Sequence, residues 1–223
     1  MKVIALAAAK GGVGKTSLAA GLGVAAVFDC PDVRVGLIDL DPQGSLTGWW
    51  NTRALPQPLN YDVAGRPIGA AVRDLRAAGL DFLLLDCPPG FSPLLREAIA
   101  VADLALVPTG ASALDLAAVA STAAMAEQEG VPFRFVLNRA VFRSRIAGQA
   151  VRALRERGGL LWPPLHQRVP VAAARAAGLT VLETEPGGAA ARELSALWRA
   201  VRASLDDASA RPHPRRPAEG ARA

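Results

Sequence analysis

The sequence predicts an α/β domain with a mainly parallel, twisted sheet flanked by helices on both faces. Three observations predict it. Apolar β-type runs recur along the chain, segments of helical periodicity separate most of them, and a glycine-rich loop stands between the first run and the first helix. With 223 residues the chain has room for one domain and a full core without disulfides or structural metal. At 51% hydrophobic and 20% charged residues, disorder is expected only locally.

In chain order, runs at 3–8, 33–40, 80–86, 104–107 and 133–137 read as strands covered on both sides. Helical periodicity marks 17–28 and 116–129, and further helices are expected at 169–177 and 188–205, joined by a short extended link at 180–182. From Asp206 onward apolar periodicity stops and prolines accumulate. The expected organisation is therefore one domain at 1–205 and a disordered Pro/Arg-rich tail at 206–223.

Several classes are excluded at this level. Cys30 and Cys87 have neither paired metal spacing nor a secreted-domain framework, which fits a reducing cytosol. Lys10 and Lys15 interrupt the apolar start before it could act as an export signal. The longest uncharged apolar run, 17–28, is shorter than the roughly 20 residues of a membrane span. A soluble cytoplasmic protein is expected. His166 and His213 lack a second ligand at useful spacing, so no transition-metal site is expected.

The chemistry concentrates in Lys10-Gly11-Gly12-Val13-Gly14-Lys15-Thr16-Ser17, between a strand and a helix. This is the context of a phosphate-binding loop, although Ala9 stands where the general pattern has glycine. Glycines let backbone N–H groups face an anion and the helix start adds a favourable dipole. Lys15 can neutralise β/γ-phosphate charge, and the Thr16 hydroxyl can ligate Mg²⁺. A nucleoside triphosphate is the expected ligand. Asp86 closes an apolar strand where a carboxylate can hold the Mg²⁺ water shell, a Walker B arrangement. Asp39 and Asp41, two residues apart at another strand end, are expected on one face, one of them aligning the attacking water.

The lysine-first loop, followed by Asp39-Leu40-Asp41-Pro42-Gln43 and Asp86-Cys87-Pro88-Pro89, resembles the deviant Walker A ATPases of the ParA/MinD group. Residues 44–49, the stretch 103–116 with Pro108 and Leu114-Asp115, and the region from Gln167-Arg168 to Glu193 are most similar to the short plasmid-partition ParA (ParF-like) proteins. The likeness covers residues 2–205 and implies a single-domain P-loop NTPase.

It implies roles as well. Lys15 contacts phosphates within its own subunit, while Lys10 crosses a two-fold interface to the partner's phosphates, so that ATP-Mg²⁺ joins a homodimer. Gly11, Gly12, Val13, Gly14, Thr16 and Ser17 complete the cradle, and Asn138 reads adenine. Asp41 orients the hydrolytic water, Thr16, Asp39 and Asp86 serve the metal, and 42–47 and 87–92 are the switches. A second cation supplied in trans acts as an arginine finger does, making hydrolysis depend on dimerisation.

Charge adds a surface argument. Of 25 lysines and arginines only Lys2, Lys10 and Lys15 are lysine, an arginine bias that genomic base composition alone can produce. Position says more. Seven arginines between 134 and 157 face one acid, Glu156, and Arg192, Arg199 and Arg202 form a helical row. From charge alone this is equally a solvated helix face or a grip on DNA phosphates; the resemblance favours non-specific DNA binding, with Arg143, Arg145, Arg152, Arg199 and Arg202 the first candidates. Trp49 or Trp50 is expected at a partner or dimer contact, and Cys87 as a packed thiol rather than a redox sensor.

The function expected is a nucleoid-associated partition ATPase with weak basal activity, stimulated by a ParB-like centromere-binding adaptor. The alternatives are a ParA-like ATPase positioning another cargo (a carboxysome, chemoreceptor cluster or transfer-DNA complex) and a small-molecule ATP-dependent enzyme of the same superfamily. Membrane anchoring of the MinD type is not expected, because the tail lacks an amphipathic apolar face.

Overall fold

The computed structural model describes residues 1–63 and 65–210. Six strands form one sheet: β1 (Lys2–Leu6), β2 (Val35–Asp39), β3 (Leu59–Asn60), β4 (Phe82–Asp86), β5 (Leu104–Thr109) and β6 (Phe133–Leu137). Their order is β3-β2-β4-β1-β5-β6, and every pairing is parallel. Nine helices connect and cover them among the described residues: α1 (Lys15–Asp29), α2 (Ser45–Asn51), α3 (Ile68–Ala77), α4 (Pro93–Ala100), α5 (Ala113–Gln128), α6 (Arg145–Glu156), α7 (Val169–Ala176), α8 (Val181–Thr184) and α9 (Ala189–Ala210).

Alternate strand residues enter different cores, as the two-residue period requires. Ile4, Leu6, Val35, Leu37 and Leu84 join Leu18, Leu22, Leu197 and Trp198 of α1 and α9 on one face. Val3, Ala5, Ile38, Leu83 and Leu85 join Ile68, Leu95 and Ile99 of α3 and α4 on the other. A smaller core, including Val119, Phe135, Ala150 and Leu154, seats α5 and α6 against β6. Both faces of the sheet are thereby buried, which is why its strands read as unbroken apolar runs.

Two expectations are corrected. The segment at 180–182 is not an extended link. Thr180 accepts from the Glu183 backbone while the Glu183 carboxylate accepts from the Thr180 N–H, and this capping box starts α8. The helix expected to end at 205 runs to Ala210, so 206–210 are helical; the remainder of the expected tail, 211–223, lies outside the described residues.

Candidate functional site

The site lies at the carboxyl ends of β1, β2 and β4, the position favoured for ligands in an open parallel sheet. Residues 7–14 turn out of β1 and deliver α1 with Gly14 as its N-cap. Gly12 and Gly14 have φ of 74° and 90°, conformations that L side chains resist. Gly14 is required on a second count: a Cβ there would lie 2.3 Å from Nδ2 of Asn138. Lys15 is buried at the start of α1, its Nζ 3.5 Å from the Ala8 carbonyl, a long contact that a phosphate can replace. Thr16 and Ser17 follow in the first turn, and the Ser17 hydroxyl accepts from Arg175.

Two strand-end carboxylates meet beside this loop. Asp39 and Asp86 are register partners across β2 and β4. Each has the parity of its strand's residues in the α1-side core, so both are on the face from which α1 starts. Asp86 is fully buried, and among the described residues neither of its oxygens has a hydrogen bond of good geometry. Burial pushes its pKa up to about 7; the nearby Thr16 hydroxyl pulls it down and the Asp39 charge pushes it up again. An orphaned buried carboxylate beside a threonine hydroxyl fits a hard divalent cation with oxygen ligands. Among the described residues no group of three His, Cys, Asp or Glu forms a ready-made metal cage, so such a cation would depend on water and phosphate oxygens as well.

β2 stops at Asp39 and the chain turns, so Asp41 stands outside the strand whose two-residue period the spacing assumed. Asp39 Oδ1 accepts from the Asp41 N–H, and Oδ2 accepts from Leu46 and Thr47 at 2.8 and 2.9 Å, capping α2. Asp41 stands beyond the strand, half-buried, with Oδ1 accepting from Gln43 N–H. It remains close enough for its charge to raise the Asp86 pKa.

Lys10 is on the loop's outer shoulder with its side chain 41% exposed, and its Nζ is 2.5 Å from Asp115 Oδ1. Asp115 also closes the capping box of α5 with Ser112, and the Lys10 and Ser112 contacts hold its carboxyl below the usual range against the opposing effect of burial. Asn138, expected to read adenine, is buried at the site; its Nδ2 donates to the Val13 carbonyl and its Oδ1 accepts from the Arg139 N–H.

The candidate DNA contacts divide. Arg145 and Arg152, seven residues apart on α6, and Arg199 on α9 are exposed and have no hydrogen bond or ion pair among the described residues. Arg143 stacks on exposed Phe142, with its guanidinium carbon 5.2 Å from the ring centre. Arg202 is not available in the same way, because Asp29 binds its guanidinium.

Both indoles are engaged within the chain: Trp49 is buried with its indole N–H on the Leu179 carbonyl, and Trp50 is half-buried with its own on the Pro58 carbonyl. Cys87 is fully buried, and burial raises its thiol pKa far above neutrality, so it is a packed, unreactive group. His166 is paired with Glu193, which also binds Arg168.

Sequence reasoning missed two partners. Asp115 is one, although the Ser112-x-x-Asp115 spacing is a capping-box pattern by which a helix start can be read. The other is Arg139, whose Nη1 donates to the Gly12 carbonyl at 2.9 Å; no local pattern announces a contact spanning 127 positions.

Comparison with known proteins agrees with this geometry. Residues 4–181 match the family described as the CobQ/CobB/MinD/ParA nucleotide binding domain. The chain is 36% identical over 213 residues to maintenance of carboxysome distribution protein A of Gloeobacter kilaueensis, covering 92% of this chain and 94% of that protein. It is 33% identical over 235 residues to the chromosome-partitioning ATPase Soj of Thermus thermophilus, covering 86% and 93%. The fold of Pyrococcus horikoshii MinD, solved with Mg-ADP, superposes with a TM-score of 0.75 at 17% identity, over 93% of this chain and 98% of that one. With the phosphate loop, the paired strand-end carboxylates and the parallel sheet in place, the chain belongs to the CobQ/CobB/MinD/ParA nucleotide-binding family and is a ParA/MinD-type P-loop ATPase.

Proposed function

We propose that the protein is a DNA-partition ATPase that dimerises around ATP and Mg²⁺, binds DNA without sequence preference, and hydrolyses ATP when a centromere-binding adaptor engages it. The observation that carries this reading is the pair of lysines bracketing one loop: Lys15 buried in the cradle, Lys10 on the exposed shoulder. A single subunit uses Lys15 for its own phosphates. In this reading Lys10 leaves Asp115 and neutralises the transferring phosphoryl group of a facing copy, as a trans-acting finger does.

Within each site the loop amides and Lys15 bind the phosphates, and Asp41 holds the attacking water. Thr16, Asp39 and Asp86 would hold Mg²⁺, which when bound neutralises charge on the β- and γ-oxygens. Because the water and the second lysine must be assembled first, turnover by the isolated protein is slow. The arginines of α6, with Arg199, supply the DNA-facing charge and a nucleoid location.

Sedimentation with ATP or ADP, with and without duplex DNA, tests the reading. Wild type is expected to dimerise and associate with DNA only with ATP, and Lys10→Ala to keep nucleotide binding while losing hydrolysis. A wild type that remains monomeric with ATP overturns the proposal.

The Gloeobacter relative favours a second reading, in which the same cycle positions a carboxysome-like cargo. Stimulation by a small DNA-binding adaptor supports partition, whereas stimulation by an adaptor of a protein shell supports the other cargo. ATP consumption that depends on a metabolite and ignores DNA points instead to a small-molecule enzyme.

A further inference from the structure

We infer that Arg139 is a positioning residue for nucleotide binding, fixing the phosphate loop from outside; this rests on the nucleotide-binding reading of the loop. A peptide unit is planar and trans, so its C=O and N–H point in opposite directions. Anchoring a carbonyl on the outer side of a loop therefore aims the next residue's N–H at the inner side. Residues 138 and 139 do this twice in succession. The Arg139 guanidinium takes the Gly12 carbonyl at 2.9 Å, which directs the Val13 N–H inward, and Asn138 Nδ2 takes the Val13 carbonyl at 2.9 Å, which directs the Gly14 N–H inward. Both amides belong to the cradle that binds phosphate.

The local backbone is bent to make this possible. Arg139 has φ of 54°, a left-handed conformation uncommon for a residue other than glycine or asparagine. Its N–H donates to Asn138 Oδ1, and the following residue is fixed to the chain near His166, with Ala140 N–H on Leu165 O and Gln167 N–H on Ala140 O. The turn after β6 is thus rigid on both sides of Arg139. Its side chain is spent on a carbonyl rather than on an acid, unlike an arginine held only by charge. Although Arg139 is exposed and belongs to the arginine-rich segment, its contact ties it to the phosphate loop.

The test compares Arg139→Asn and Arg139→Lys with wild type. Asparagine accepts the left-handed backbone but is too short to reach Gly12, so it removes the contact without adding strain. Equilibrium binding of fluorescent ATP and ADP derivatives is measured with the full chain and Mg²⁺. Arg139→Asn is expected to weaken both nucleotides about tenfold, the scale of one lost charge-assisted hydrogen bond. The KM for ATP should rise accordingly, with kcat at saturating ATP changing less than about twofold. Arg139→Lys, which retains a cationic donor on a flexible stem, should recover part of the loss.

Melting of the nucleotide-free proteins guards against a folding artefact. Equal melting temperatures with unequal nucleotide affinities support positioning, and nucleotide affinity within about twofold of wild type overturns it. Loss of DNA binding by Arg139→Asn with nucleotide affinity intact overturns it too, in favour of a DNA contact. Failure of the wild type itself to bind either nucleotide would instead remove the nucleotide reading on which the inference stands.

Discussion

Asp86 shows how a single side chain can make a site expectant. Its burial beside Asp39 raises its pKa from 3.8 to about 7. A proton is therefore retained in the nucleotide-free fold under conditions where the unfolded chain has released it. The resulting stability is fully present below pH 3.8 and is lost as pH rises through about 7. At 1.36 kcal/mol per unit, the loss is on the order of 4 kcal/mol. Asp86→Asn should therefore be more stable than nucleotide-free wild type above pH 7, with the difference shrinking toward pH 4, as followed by urea denaturation at stepped pH. Since a metal requires the ionised carboxylate, Mg-nucleotide affinity of the wild type should rise across the same interval. The motif announced this residue because an acid closing an apolar strand is rare without a purpose. It could not announce that both oxygens are orphaned, which depends on three strands and a helix converging.

Among the elements, α2 is tied at both ends. Asp39 caps its start. After its last turn, Arg53 forms a two-pronged pair with Glu183 of α8 at 2.7 and 3.2 Å, also donates to the Gly178 and Gln57 carbonyls, and lies 4.7 Å over Trp49. The pair is almost wholly buried, with side-chain exposures of 1% and 6%. Removing one member leaves the other charged and unpaired, so Glu183→Ala should cost about 3–5 kcal/mol in chemical denaturation. Breaking the exposed Arg66–Asp74 pair should cost less than about 1 kcal/mol. This cluster also bears on the corrected link at 180–182. Thr180-Val181-Leu182 has the apolar, β-branched composition of an extended segment, whereas the Glu183 carboxylate, shared between the Thr180 cap and Arg53, starts a helix there. A contact between positions 53 and 183 leaves no trace in local periodicity, whereas α1 and α5, long and seated on the sheet, were legible.

At the scale of the molecule, charge is sorted by what it touches. Arg134, Arg139 and Arg157 are on backbone carbonyls, and Arg143 and Arg155 lie over aromatic rings. Arg145 and Arg152 remain directed to solvent from one side of α6, where Gly148 stands between them. If these two meet DNA phosphates, replacing both by alanine should reduce the slope of log affinity against log salt by about 1.8, without altering ATP-dependent dimerisation in sedimentation. The β-α alternation and phosphate loop were readable because both are written in neighbouring residues. The division of arginines into anchored and available was not, since it is decided by distant carbonyls and rings.

The register of the sheet carries a further consequence. Leu6, Asp86 and Asp39 lie abreast on three adjacent strands. Deleting one residue within β2 or β4 would draw its acid back by about 3.3 Å and turn it toward the opposite layer of helices. The three strands therefore act as a gauge block: tolerance for insertion should be generous in the surface turns and vanish inside these five-residue runs, however well the altered chain still folded.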